Sequence, residues 1–420
     1  MLLIYRYLIN ILFPLIIILI FIRTKFNKED KDRYKEKLFF SSFNVIKNKN
    51  KKLIWFHTAS IGELKSIIPL VKKLNKADQF EFLITTVTLS SAKLLAKELS
   101  GKKNIIHRFF PIDKNNLVKK FLSKWSPNLI IFVDSEIWPN FLLEINNQKI
   151  PLILLNARIT KKSFVRWKLI SKTAEKIFQT FDLCIPSSQE SKKYLEDLKV
   201  KKIKYFGNLK LTSENNFDTI KNKILFTNKF WCAVSTHKEE DISCLKTHLI
   251  IKKIHQNIIT IIIPRHIDRA KNIRSLCKKL NLKSQIISEG DAIKDKKEII
   301  IINSYGVIPN YLKYCKSVFI GKSLIKRLEK VGGQNPIEAA KLGCKIYHGP
   351  YVYNFKEIYE LFNKHEIAEK IFNENELASK LSMDLNELDK IKDDKIKIIN
   401  DLGNKILNDT FNELNKIPVK

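Results

Sequence analysis

The residue pattern is that of an α/β protein: two doubly wound parallel-sheet domains behind an N-terminal apolar helix. Three observations carry this expectation. Residues 7–22 are nearly all apolar. From residue 53 onward, short runs of Ile, Leu, Val and Phe alternate with amphipathic stretches. Continuous apolar runs, unlike alternating ones, mark strands covered on both faces, as in a parallel sheet flanked by helices. The alternation pauses once, at the polar stretch LTSENNFDTIKNK (211–223), and then restarts, which divides the chain into two similar halves.

The elements follow in order. In MLLIYRYLINILFPLIIILIFIRTKF, the apolar run 7–22 is interrupted by Asn10 and Pro14, and it is short for a full span of about 20 apolar residues. The following IRTKFN offers no small-residue cleavage site, so the segment reads as an uncleaved anchor, residues 1–24. Arg23, Lys25, Lys28, Lys31, Arg33, Lys35 and Lys37 follow it, against Arg6 before it, which places the rest of the chain on the cytoplasmic side.

LIWFH (53–57) leads to a helix near 63–75, and FLITTVT (82–88) to one near 90–99. IIHRFF, LIIFVD, PLILLN, LCIP and IKYFG continue the first set of strands. After a break near 208–225, FWCAVST, IITIIIPRH, KSQIIS, EIIIIN, SVFIG and KIYHG form the second, and residues 355–420 read as almost entirely helical. The expected domains are therefore 25–215 and 216–420. Two such domains facing each other form a cleft, with ligands at the carboxyl ends of the strands.

Composition narrows the function classes. The 420 residues are 45% hydrophobic and 28% charged, enough for large cores. A net charge of +33, from 76 basic and 43 acidic residues, points to an anionic partner. The basic residues are dispersed, and no zinc-finger, RNA-recognition or basic-zipper pattern occurs, which argues against nucleic acid. Six scattered cysteines, none in a CxxC pair, fit reduced buried thiols, not disulfides or structural zinc.

Seven short blocks carry candidate chemistry. HTASIGE (57–63) ends a strand and starts a helix. Glu63 there suits a general base, or serves as an ordinary helix-start acid. DSEIWPN (134–140) crowds two acids, a Trp and a Pro into one turn, and Asp134 and Glu136 point the same way if the chain is extended. NARIT (156–160) either binds a polar substrate or closes a loop, and Lys210 in GNLK (207–210) either neutralises a phosphate or is solvated. STHKEED (235–241) reads as a Ser/Thr helix cap followed by acids. Arg265 in PRH (264–266) suits a phosphate contact at a strand end. VGGQNPIEAAKLG (331–343) is a glycine turn before a helix, either a turn alone or a helix start open to an anionic ligand. Glu338 argues against bare phosphate there and for hydrogen bonds to a ribose or base. Neither GxxxxGK[ST] nor GxGxxG occurs.

Together and in order, these blocks resemble the Kdo (3-deoxy-D-manno-octulosonic acid) transferases of lipopolysaccharide synthesis, over nearly the whole chain to beyond YVYNF (351–355). The resemblance implies a membrane-anchored GT-B glycosyltransferase that moves Kdo from CMP-Kdo to a lipid A precursor, lipid IVA, without a metal or other cofactor. It implies Glu63 as catalytic base, with Glu136 and Lys210 supporting the transition state. It implies CMP binding by Pro264 and Arg265, by Tyr305-Gly306-Val307, and by Asn335, Pro336, Ile337 and Glu338. Partners would be CMP-Kdo, the lipid acceptor and the anionic surface of the inner membrane. Two positions depart from the family pattern. Val307 stands where a glutamate is usual, which leaves 307 backbone contacts only, and Lys322 stands where a second glycine is usual. Another membrane-anchored GT-B enzyme using a different nucleotide sugar is the alternative.

Overall fold

The structure, a computed structural model, describes residues 1–48, 50–99, 101–213, 229–288, 290–386 and 393–419. The chain forms two compact units, Met1–Glu214 with Leu402–Lys420, and Asn215–Asp401. Leu402–Lys420 thus lies in the first unit, unlike the expected second domain running to residue 420. The last helix, Asp393–Asn415, starts in one unit and ends in the other. Its end is held by burial of Leu414, by a Lys202–Glu413 ion pair at 2.6 Å, and by Lys73 over the Phe411 ring. Most of the expected break near 208–225 lies outside the described residues.

The first unit holds β1 (Lys52–Thr58), β2 (Phe80–Thr86), β3 (Ile105–Phe109), β4 (Leu129–Val133), β5 (Leu152–Ala157) and β6 (Leu183–Pro186). They form one parallel sheet in the order β3-β2-β1-β4-β5-β6. The order reverses between β1 and β4, and that switch point opens a crevice at the strands' carboxyl ends. Helices cover both faces, so central strands are apolar on both sides; Trp55 and Phe56, neighbours on β1, are both fully buried. Trp55 packs against Phe110, Phe121, Phe132 and Phe141, and its indole N–H donates to Thr85 Oγ1 at 2.8 Å. Each such ring is worth several kcal/mol, roughly 2–3, when fully buried. The expected strand IKYFG is reduced to a single bridge between Cys184 and Ile203.

The second unit holds β7 (Phe230–Thr236), β8 (Ile259–Pro264), β9 (Ser284–Ile287), β10 (Ile299–Ile302), β11 (Ser317–Ile320), β12 (Lys345–His348) and β13 (Ala368–Lys370). Their order is β13-β12-β11-β7-β8-β10-β9, again all parallel, with the switch point between β7 and β11. β13 interrupts the region expected to be helical: three residues add an edge strand to β12. In each sheet one strand slips register near its carboxyl end at a residue of positive φ, Asn156 (52°) on β5 and Ser235 (55°) on β7. Such bulges re-aim side chains at the sheet rim, where sites are built.

Candidate active site

In the first unit the site is assembled at the β1/β4 switch point. Ser60 caps the helix Ile61–Leu74, its Oγ accepting from Glu63 N, and the Glu63 carboxylate reaches back. Its Oε2 accepts from Ala59 N at 2.6 Å and its Oε1 from Ser60 Oγ at 2.8 Å. This reciprocal cap holds the carboxyl on the strand-end loop while leaving it 9% exposed. Burial, then the charge of Asp134, and lastly that of Glu136, push its pKa up to about 7 against hydrogen bonds from Ser60 and Ala59. Glu63 is thus both the helix-start acid and a carboxyl poised to take a proton near neutrality.

Asp134 follows β4 with φ 66°, a strained value for a non-glycine residue. Its backbone is locked on both sides: Asp134 N donates to Leu155 O and Arg158 N donates to Asp134 O. Its Oδ2 accepts from Lys210 Nζ at 2.9 Å, and its buried Oδ1 has no hydrogen-bond partner. Lys210 reaches it from a 3-10 turn, Leu209–Thr212, held by Leu209 N on Asn156 Oδ1 and by Thr212 Oγ1 on Ser66 O.

Glu136 faces a different set. Its Oε2 lies 3.1 Å from His57 Nε2 and accepts from Trp138 Nε1 at 2.7 Å. Burial pushes its pKa up, but the His57 hydrogen bond and charge and the Trp138 N–H outweigh that and hold it below the ordinary carboxylate value. His57 is buried and stacked on Phe110 at 3.6 Å, with Nδ1 against Thr85 Oγ1. So Glu63, Glu136 and Lys210 do come to one sheet edge. Their partners Asp134, His57 and Trp138 stand in the same blocks, but no local spacing indicates these pairings.

In the second unit the expected donor residues share the carboxyl edge of the sheet: Pro264 and Arg265 at the end of β8, Tyr305-Gly306-Val307 after β10, and Asn335–Glu338 after the loop from β11. They differ in what they present. Arg265 is exposed, its backbone N–H bonded to Thr236 O, and Tyr305 is 65% exposed. The Val307 side chain is buried, as are Pro336 and Ile337, so these offer backbone only. The helix after the glycine turn spans just Ile337–Lys341, and Ile337 N–H already donates to Asn335 Oδ1 at 3.0 Å. Glu338 is half-buried.

The residue missed in this unit is Glu240. The pattern STHKEED predicts a Ser/Thr cap. Instead Glu239 (φ 80°) precedes the helix Glu240–Lys252 and no hydroxyl caps it. The fully buried Glu240 carboxylate accepts four backbone N–H groups: His237 at 2.9 Å, Lys322 at 2.6 Å, Ser323 at 2.8 Å and Leu324 at 3.0 Å. It ties the loop after β11 to the end of β7 across the switch point. The acid-rich block was a signal, but three of the four partners of Glu240 lie some eighty positions downstream.

That loop then passes the glycine pair. A Cβ on Gly332 would stand 2.1 Å from Tyr351 O, and Gly333 has φ 87°. Asn354 N and Nδ2 bind Gly332 O and Val331 O, and Tyr359 Oη donates to Gln334 O. The glycines therefore serve close backbone packing against 351–354. Around the β7 end the field is cationic: burial, then Lys322, His266, Arg269 and Arg265, depress the His237 pKa to about 4.

Comparison with known proteins bears on the reading of these two edges. A family model described as 3-deoxy-D-manno-octulosonic-acid transferase (kdotransferase) matches residues 32–213. The 3-deoxy-D-manno-octulosonic acid transferase of Rickettsia bellii is 32% identical over 355 residues, covering 82% of each chain. The chain belongs to the 3-deoxy-D-manno-octulosonic acid transferase family. A probable mitochondrial Kdo transferase of Arabidopsis thaliana is 29% identical, over 73% of this chain and 70% of its own. In fold, the UDP-GlcNAc 2-epimerase of Neisseria meningitidis, solved with UDP-GlcNAc, covers 87% of this chain and all of its own at a TM-score of 0.58 and 13% identity. The Kdo transferase is thus a glycosyltransferase of the GT-B fold class, with two parallel-sheet α/β units. Its N-terminal helix Leu2–Lys25 is long and apolar enough to serve as a membrane anchor. Lys322 keeps a left-handed φ of 59°, a conformation that glycine adopts without steric cost.

Proposed function

We propose that this Kdo transferase is an inverting enzyme that moves Kdo from CMP-Kdo to the lipid A precursor lipid IVA, at the cytoplasmic face of the inner membrane. The observation that carries the reading is the Glu63 carboxyl, capped in place beside Asp134 and Glu136 with its pKa raised to about 7.

In this reading Glu63 accepts the proton of the acceptor hydroxyl as that oxygen attacks the anomeric carbon of Kdo. The new C–O bond forms on the face opposite CMP, and the bond to the phosphate breaks, its electron pair leaving with CMP. Glu136, held ionised, faces the oxocarbenium-like charge that develops at the sugar. Lys210 supports the transition state indirectly, by fixing the Asp134 charge that tunes the base.

CMP is assigned to the second unit's switch point. Arg265 and the surrounding cations suit the phosphate, Tyr305 to Val307 and Asn335 to Ile337 line it with backbone, and Glu338 accepts from the ribose. The family membership and the cationic field at the β7 end support this. No metal has a role in the reaction, so EDTA should leave the rate unchanged.

The test is mass spectrometry of the lipid product from purified enzyme, CMP-Kdo and lipid IVA. One or more Kdo additions by wild type, none by Glu63→Gln, and thermal protection by CMP but not UDP or GDP are expected. Protection by UDP alone overturns the donor assignment, and a fully active Glu63→Gln overturns the base.

A further inference from the structure

The apolar helix Leu2–Lys25 is docked on the first unit along its whole length. At its start, Tyr5 Oη donates to Asp113 Oδ2 at 2.7 Å and Arg6 Nε donates to Asn140 Oδ1 at 2.9 Å. At its middle, Phe13 packs on the first unit's hydrophobic core, with Lys114 Nζ 3.9 Å from its ring centroid. At its end, Ile20 and Thr24 are buried, and Arg23 joins Glu29, which joins Lys37, whose Nζ donates to Val87 O. Tyr5 and Thr24 are about 28 Å apart along a helix of 1.5 Å rise.

A bilayer-crossing helix needs a hydrocarbon layer about 30 Å thick around this same stretch. Here polar side chains of one globular unit grip both ends and a lysine ammonium sits at the midpoint, where the bilayer centre would be. Intramembrane charge of that kind is expensive. The opposite face is different. Ile4, Ile11 and Ile18, spaced by two turns on one face, are 56%, 55% and 55% exposed. Leu8, Leu15 and Ile22 continue the same apolar surface, and exposed Lys25, Lys28 and Lys31 follow at its end.

We infer that the Leu2–Lys25 helix lies in the plane of one leaflet, its docked stripe against the first unit and its Ile4/Ile11/Ile18 face in the lipid, and does not cross the bilayer. This rests on the membrane-anchor reading above. The occupant of the exposed face is an anionic phospholipid leaflet: apolar surface meets the acyl boundary and the lysines meet the headgroups. The docking also places the active site. Asp113, which holds Tyr5, accepts from Asn140 N and Phe141 N at the start of the helix Pro139–Asn147, three residues beyond Glu136. The clasp ties the lipid-facing helix to the segment carrying Glu136, and so holds that segment near the headgroup layer where a glycolipid presents its sugar.

The experiment uses the full chain in liposomes of phosphatidylethanolamine and phosphatidylglycerol. The six native cysteines are buried, so Ile4→Cys, Ile11→Cys and Ile18→Cys can each carry a nitroxide. Collision with oxygen and a polar nickel complex reads the depth of each label. Three depths equal within a few ångströms are expected. A depth profile reflecting the roughly 21 Å of helix between positions 4 and 18 overturns the proposal. Labels that meet only water overturn both this proposal and the anchor itself, a different signature. A second readout needs no substitution. In sealed vesicles with the globular units outside, an added protease removes a tag placed before Met1 if the helix lies in-plane. Protection of the tag refutes the in-plane helix.

Discussion

Glu63→Gln separates a tuned base from a merely structural acid. In the folded chain Glu63 keeps its proton up to about pH 7, against an ordinary value of 4.5. Between these values the unfolded chain ionises while the folded chain does not. The group's contribution is therefore fully present below 4.5 and lost as pH rises through about 7. At pH 8 the folded state carries a carboxylate disfavoured by about 3 kcal/mol relative to the unfolded chain, whereas at pH 5 the burden is under about 1 kcal/mol. Glutamine carries no such burden, but its single oxygen keeps only one of the two hydrogen bonds from Ala59 N and Ser60 Oγ, a loss of about 1 kcal/mol.

The variant should then be more stable than wild type by about 2 kcal/mol at pH 8 and nearly equal to it at pH 5. For a unit of this size 2 kcal/mol is about 4–8 °C in Tm. Differential scanning calorimetry at the two pH values, with Kdo-transfer rates alongside, reads both consequences. The rate should fall by about 10²-fold or more. An equal Tm change at pH 5 and pH 8 would refute the reasoning, because a packing effect carries no pH dependence. So would a wild-type kcat/KM that does not climb through pH 7.

Three further outcomes are expected. Asp134→Asn removes the charge that, after burial, does most to raise the Glu63 pKa, so the midpoint of the kcat/KM–pH profile should move to lower pH. Lys322→Gly relieves a left-handed φ of 59° and should stabilise the second unit by about 1 kcal/mol in urea unfolding, yet weaken CMP binding by removing a cation beside His237. Gly332→Ala sets a Cβ 2.1 Å from Tyr351 O and should cost more than about 3 kcal/mol, with CMP no longer raising the Tm. A Tm within 2 °C or so of wild type would mean the glycine turn is looser than its packing indicates.

The two α/β units and most strands were legible because a doubly covered strand must be apolar at every position, a signature confined to five or six neighbouring residues. The apolar helix was equally plain. Glu63 was legible as a helix-start acid, since Ser60 and Glu63 stand three positions apart at a strand-to-helix turn. What stayed hidden depends on residues far apart in the chain. Lys210 was open between a phosphate contact and a solvated side chain; its pairing with Asp134 follows from a turn held by Asn156 and Ser66. Glu240 looked like one acid of a helix start until the β7–β11 neighbourhood brought Lys322, Ser323 and Leu324 onto it. The glycine pair looked like a ligand loop and is, in large part, a packing contact with 351–354. The docked stripe on the anchor helix was invisible in a segment apolar all round. Local patterns report which face of an element is buried. Which groups meet at a sheet edge is set by strand order, and strand order is decided by long-range burial and crossover handedness, which no short window of residues contains.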